Sequence, residues 1–172
     1  MAHISGLMTA KVADVDDPLG HGRVRLSYLT MPGTAISNWT QIASAMGGHD
    51  RGIWFVPEVG DIAVVGFERG SIDSPYILGF VWNDKDKAPS TAVRERMIRS
   101  VNGHTIRFLD STPNKGNKGA LAIEDGHGNS VVLTNGSVRV TSKGQLELYA
   151  AGAMHLSGPG YRRRILPNNN PI

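Results

Sequence analysis

The sequence predicts an all-β chain, and three observations carry that expectation. Its 172 residues include 21 glycines and 9 prolines but few aromatics, a mix that suits turn-rich β structure better than helices. Short apolar runs alternate with turn residues through the first half of the chain. From residue 129 a glycine recurs every eighth position, and three of the four octads it closes alternate apolar and polar residues.

The runs in the first half are Leu7–Val12, Arg23–Tyr28, Trp39–Ser44, Ile62–Phe67 and Tyr76–Trp82. Between them stand Asp16-Asp17-Pro18-Leu19-Gly20, Met31-Pro32-Gly33, Met46-Gly47-Gly48 and Glu68-Arg69-Gly70. Five short strands with this punctuation predict a small sandwich or barrel over residues 1–82. The five-stranded barrel of the oligonucleotide/oligosaccharide-binding (OB) type is the natural candidate at this size. Residues 83–99 turn polar and read as a linker, with no room for a domain.

The octads fill residues 129–160. They are Asn129–Gly136, Ser137–Gly144, Gln145–Gly152 and Ala153–Gly160, each closed by Gly136, Gly144, Gly152 or Gly160. In the last three, apolar residues hold positions two and four: Val138 and Val140, Leu146 and Leu148, Met154 and Leu156. The first is less regular, with Val131, Val132 and Leu133. Alternation makes each octad a strand with one apolar face. Glycine allows a positive-φ or crowded turn between strands. A fixed short period signals a solenoid-like stack. An ordinary β-meander with coincidental spacing is the competing reading, and four glycines in register favour the repeat.

Two apolar side chains per octad cannot build a core inside one chain. Three chains wound about a common axis can, with the Val, Leu and Met columns meeting on the threefold axis. Sheet edges then pair between chains, which removes the hazard of free edges. The expectation is an intertwined homotrimeric, triple-stranded β-helix, or prism, over residues 100–160, followed by a C-terminal tail, 161–172.

The residues next point to a family. The segments Gly20-His21-Gly22-Arg23-Val24-Arg25-Leu26, Asn38–Met46, Arg51–Asp61 and Ser74–Gly79 resemble the OB domain of the central spike proteins of contractile injection systems. These are the phage baseplate assembly protein V and the VgrG proteins of type VI secretion. Ile98-Arg99-Ser100 with Gly103-His104-Thr105-Ile106 resembles the start of the family's triple-stranded β-helix, and the octads resemble that helix. The resemblance covers residues 4–160.

It implies a structural spike that links a baseplate to a puncturing tip and transmits sheath force to a target envelope. No hub domain precedes the barrel, so a separate hub protein is implied on the OB side. Residues 83–99 leave no space for the lysozyme domain of some phage spikes. The His-x-His pair that binds iron at some spike tips is absent. The resemblance implies a small PAAR-repeat cone as the cap, seated on Ser157, Gly158, Tyr161, Arg162, Arg163 and Arg164; the alternative is that the Pro/Asn-rich tail packs over the end by itself. In a trimer the three arginines become a ring of clustered positive charge.

Other functions find little support. There is no cysteine, hence no disulfide framework, thiolate chemistry or Cys-ligated zinc. The histidines at 3, 21, 49, 104, 127 and 155 form neither His-x-His nor His-Glu-x-x-His, and His155 should point outward between Met154 and Leu156. No nucleophile elbow or acid/base pair stands out, so no catalytic, metal or cofactor residue is expected. Trp39, Trp54, Phe55 and Trp82 could stack single-stranded nucleic acid on an OB barrel. That is the rival function, although their place in apolar runs favours packing in the core or between chains. The net charge of +3 is too slight to signal a nucleic-acid footprint. The N-terminus lacks a secretory pattern and no apolar run nears the roughly 20 residues of a membrane span. The expectation is a chain made in the cytoplasm, assembled into a phage-tail-like particle, and meeting a target membrane only transiently.

Overall fold

The computed structural model describes residues 4–31, 35–112 and 116–165, the last five of these through their backbone alone. The chain divides into two compact units, residues 1–88 and 89–172. The boundary falls inside the polar segment expected as a linker.

The first unit is a curled sheet. Its main strands are β1 (Met8–Asp14), β2 (Arg25–Tyr28), β3 (Gln41–Ile42), β6 (Ile62–Phe67) and β7 (Pro75–Phe80). A small hairpin, β4 (Gly47–Gly48) and β5 (Arg51–Gly52), projects from the connection between β3 and β6. The sheet order is β2-β1-β6-β7-β3, antiparallel except for the β3–β7 pair. The residues leading into β3 close the ring. Val24 N–H donates to Thr40 O at 3.0 Å, Thr40 N–H returns to Val24 O at 2.8 Å, and Ser27 bridges to Ile36. Segment 36–42 thus touches β2 at one end and β7 at the other, as an OB-like barrel requires.

Alternation along the strands points Ala10, Val12, Val24, Leu26, Tyr28, Ala63, Val65 and Ile77 into a shared core. Two buried polar residues finish the seam: Ser37 Oγ accepts Leu26 N–H at 2.9 Å and donates to Asn38 O at 2.7 Å, and Thr40 Oγ1 donates to the same carbonyl. Both of these hydroxyls therefore have partners, which spares the cost of an unsatisfied group; the buried Tyr28 hydroxyl finds none among the described residues.

Two turns show why particular residues stand where they do. The Asp17 carboxylate, only 3 % exposed, accepts the backbone N–H groups of Leu19, His21 and Arg23 and both Nε and Nη2 of Arg23. Arg23, followed by these backbone bonds, holds its pKa far below the usual carboxylate range. The loop it organises needs positive φ at Gly20 (65°) and Gly22 (70°). The Trp54 ring lies directly against Gly22. In the second turn, Asp61 Oδ2 accepts Glu58 N–H at 3.0 Å, and Gly60 (φ 114°) donates its N–H to Val12 O at 2.9 Å. These are the Gly-His-Gly-Arg and Pro-Glu-Val-Gly-Asp stretches.

The second unit contains a five-stranded antiparallel meander. Its strands are β8 (Glu95–Arg99), β9 (Thr105–Leu109), β10 (Ala120–Glu124), β11 (Ser130–Thr134) and β12 (Ser137–Thr141), neighbours in chain order. A separate hairpin pairs β13 (Met154–Gly158) with β14 (Tyr161–Ile165). β8 therefore lies within the span 83–99 read as linker, and β14 within the span 161–172 read as tail.

The octads behave unequally in a single chain. The first two are the adjacent strands β11 and β12, joined at Asn135-Gly136 with φ of 43° and 80°. Both central residues are left-handed, the geometry of a two-residue type I′ turn. The third octad forms no strand, and the fourth supplies β13 and its turn at Gly160 (φ 74°). Gly144 and Gly152 have neither positive φ nor a neighbour that a Cβ would meet, so the requirement for glycine holds in this chain only at 136 and 160.

A Cβ at residue 22 would come within 2.4 Å of the Trp54 ring, at a backbone angle that L-residues disfavour. Gly22→Ala is therefore expected to cost about 1 kcal/mol or more. It should also shift tryptophan emission as the indole is displaced; unchanged emission and melting temperature would show that the Trp54–Gly22 contact is unimportant.

Candidate functional site

The register of the meander assembles a surface that no single strand reveals. Ile98, Ile106, Ile123, Val131 and Val140 are successive cross-strand partners and form one row across all five strands. Arg96, Phe108, Leu121, Leu133 and Val138 form the next row on the same face. Nine of these ten residues are apolar, yet the face is open: Ile98 is 52 % exposed, Phe108 51 %, Val140 53 % and Val138 68 %.

The opposite face is the better covered one. Ala122 and Thr105 are buried there. Between them Arg107 reaches both ways, with Nη1 3.0 Å from Glu95 Oε1 and Nη2 bonded to Glu124 Oε2. Ser90 Oγ donates to Glu95 at 2.6 Å, and Thr105 Oγ1 donates to Glu124 at 3.3 Å. The Ser90 hydroxyl, then Arg107, pulls the Glu95 pKa down, while Glu95 raises that of Arg107. A sheet with an ion network on its sheltered face and Ile, Val, Leu and Phe on its open face is built the reverse of a solvated monomer.

The loops at one end of the meander are tied together. Gly126 N–H donates to His104 Nδ1 at 3.2 Å, and Lys143 N–H donates to Asn129 Oδ1 at 2.8 Å. A Cβ at Gly126 would meet Asn102 O at 2.4 Å. The Gly103-His104-Thr105-Ile106 stretch thereby gains a structural reading: a positive-φ turn, a loop acceptor, a hydroxyl to Glu124 and a member of the apolar row.

Of the residues expected in a trimer core, Val138 and Val140 lie on the open apolar face beside Leu133 and Val131. Val132, the residue that spoiled the first octad, points to the other face with Arg139. Leu146 and Leu148 sit in an extended stretch outside any strand and are more than half exposed. Met154 and Leu156 alternate on β13, with His155 exposed between them. Of the positions proposed to hold a tip, Ser157 and Gly158 are in β13 and pair with Arg162 and Tyr161; Arg163 and Arg164 pair with Leu156 and His155. The side chains of 161–165 lie outside the described residues, as do 166–172 altogether.

Ile98, Ile106, Phe108, Leu121 and Ile123 lie outside the octads. Their signal was present as period-two pairs (Ile106/Phe108, Leu121/Ile123), but no glycine frames them every eight residues.

In the first unit the aromatic residues leave packing between chains as the remaining half of the expectation. Trp54, Phe55 and Trp82 do not pack into the barrel core; Trp54 and Trp82 are each 70 % exposed. Trp39 is half-buried, with the Arg25 guanidinium 5.9 Å from its ring centroid. Trp54 and Phe55 line an open groove of about 1020 Å³, bordered by Met46, Ile42, Gly22 and Phe80, at the upper end of the size of ligand clefts. Among the described residues no group of three or more His, Asp or Glu side chains is placed to hold a metal, and no helix is long and apolar enough to cross a membrane.

Comparison with known proteins bears on both units. Residues 8–82 match the family described as the type VI secretion system/phage-baseplate injector OB domain. The chain is also similar to the type VI secretion system spike protein VgrG5 of Pseudomonas aeruginosa, at 26 % identity over 119 residues. That stretch is 67 % of this chain and 14 % of VgrG5, so the chain spans a small part of that relative's length. Being longer than 8–82, it extends past the barrel.

The ion network yields a pH prediction. A carboxylate with a lowered folded pKa stabilises the fold above its unfolded value, about 4.3 for Glu, and the contribution fades as pH falls through the folded value. Arg107→Gln removes the partner and leaves Glu95 and Glu124 facing each other. The variant should melt at a lower temperature at neutral pH, and the gap from the parent should narrow below about pH 4. A gap independent of pH would mean that Arg107 acts through packing alone.

Proposed function

Starting from a barrel that matches the injector OB-domain family, we propose that this VgrG-like protein is the structural central spike of a contractile phage-tail-like injection system. Its second unit would associate as an intertwined homotrimer. The observation that supports this most is the open apolar face of β8–β12 on a sheet whose other face is already occupied by ions and small side chains. Rotational closure of three copies would turn that face, with the octad positions Val138, Val140, Leu146, Leu148, Met154 and Leu156, toward a common axis. The third octad, Gln145–Gly152, alternates like a strand but has no strand partner among the described residues; strands of the other copies are the partners this reading supplies.

Such a spike needs no turnover. Sheath contraction supplies force, and an interlocked prism transmits it to the target envelope because interwound chains must unfold to separate. Assembly would take place in the baseplate of a tail-like particle, with a hub protein on the barrel side. A PAAR-type cone would cap the other end, at Ser157, Gly158 and the β14 backbone carrying Tyr161 and Arg162–Arg164. Contact with the target membrane would be transient. Exposed Trp54 and Phe55 beside a groove are the feature favouring the rival, single-stranded nucleic-acid binding.

Light scattering at micromolar concentration should give three times the chain mass, and a monomer would end the proposal. Ile106→Asp and Val140→Asp should each abolish the trimer while the barrel stays folded, since three carboxylates would meet in an apolar interior. Arg139→Asp, on the other face, should be tolerated; equal behaviour of the two classes would overturn the assignment of faces. Sub-micromolar binding of single-stranded DNA that is lost in Trp54→Ala would instead favour the rival.

The tip contact has its own test. Truncation after Ile165 spares the β13–β14 ladder, so a trimer lacking 166–172 should still capture a PAAR cone in a pull-down. Loss of capture would move the contact to the last seven residues. Absence of capture by the full-length trimer would dismiss the cap.

A further inference from the structure

The chain contains two Asn-Gly pairs, Asn102-Gly103 and Asn135-Gly136. This dipeptide is the one most prone to lose its side-chain amide, because glycine leaves its own nitrogen unhindered. Both asparagines are exposed, and both pairs lie in turns of the β8–β12 meander. Their backbones, however, differ in the atom that matters.

Gly103 N–H donates to Ser100 O at 3.0 Å inside a loop closed further by Ser100 N–H to His104 O at 2.9 Å. The Asn102 carbonyl is packed where a Cβ on Gly126 would touch it. Gly136 N–H donates to no acceptor among the described residues. The Gly136 Cα has open space around it, and the turn is a two-residue corner joining β11 and β12. One glycine nitrogen is thus engaged and pinned, and the other is free.

From this difference we infer that Asn135 is a site of spontaneous modification in the folded protein, while Asn102 is protected by its loop. In the reaction the Gly136 nitrogen loses its proton to water and attacks Asn135 Cγ. A C–N bond forms, ammonia leaves, and a five-membered succinimide remains. Water then opens either carbonyl, giving aspartate or isoaspartate, with no oxidant or reductant. Each product adds a negative charge to the corner. The isoaspartate also adds a methylene to the main chain, which a two-residue turn cannot accept while Thr134 stays opposite Ser137. The modification would therefore loosen the hairpin that carries Val131, Leu133, Val138 and Val140.

The test follows both sites in the full-length chain, incubated at mildly alkaline pH in water labelled with heavy oxygen, by peptide mass spectrometry. The same incubation in denaturant serves as reference, because there both pairs are flexible. In denaturant the two sites should convert at similar rates. In the native protein Asn135 should take up label several-fold faster than Asn102, and isoaspartyl methyltransferase should methylate its peptide. Equal native rates, faster conversion at Asn102, or an inert Asn135 would each overturn the inference. Asn135→Gln should remove the fast conversion without changing the rate at Asn102; persistence of the fast label would place it elsewhere.

Discussion

Nine apolar side chains on one face of the β8–β12 sheet meet water in the single chain, and the rest of the molecule makes sense around that constraint. Burying a Val, Leu, Ile or Phe fully is worth roughly 1.5–3 kcal/mol. Even with half of each already covered, the face holds on the order of 10 kcal/mol per chain, an upper bound set by the extended reference state. That is comparable with the whole stability of an ordinary domain, about 5–15 kcal/mol. A sequence that keeps such a face is shaped for a partner.

The opposite face is occupied differently. Its middle is already filled, with Ala122 and Thr105 buried beneath the Arg107 fork and Glu95 and Glu124 neutralising it. The loops add rigidity where glycines let backbones approach closely, as at Gly126 against Asn102. The barrel, by contrast, completes its core within one chain.

Much of this could be read from the sequence, and the limits are instructive. The five runs of the first half all became strands of one sheet, although Trp39–Ser44 contributes only two residues to the β3–β7 ladder. That shortening follows from its double duty, since residues 36–40 turn to meet β2. The octad frame located Val138 and Val140, and alternation assigned them to one face. It overlooked the equivalent residues of β8, β9 and β10 because loops of unequal length break the period there. Trp54 and Trp82 stay out of the core because an apolar run says that residues are hydrophobic without saying where the strand stops, and both lie two residues beyond a strand end.

By itself, then, the sequence determined the all-β class, the barrel's strands and the resemblance to injector OB domains. These depend on local quantities: side-chain alternation, turn chemistry, and motifs such as Gly-His-Gly-Arg and Pro-Glu-Val-Gly-Asp. Of the four octad glycines, it could not tell that 136 and 160 alone take positive φ. Only the tertiary structure decided which residues stand opposite one another. Register placed Ile98 beside Ile106, Ile123, Val131 and Val140, put Val132 with Arg139, and set Arg107 between two carboxylates. A one-residue shift in any ladder would have reversed those faces. Register is a property of paired strands, fixed by the loops and contacts between them, and no single stretch of sequence contains it.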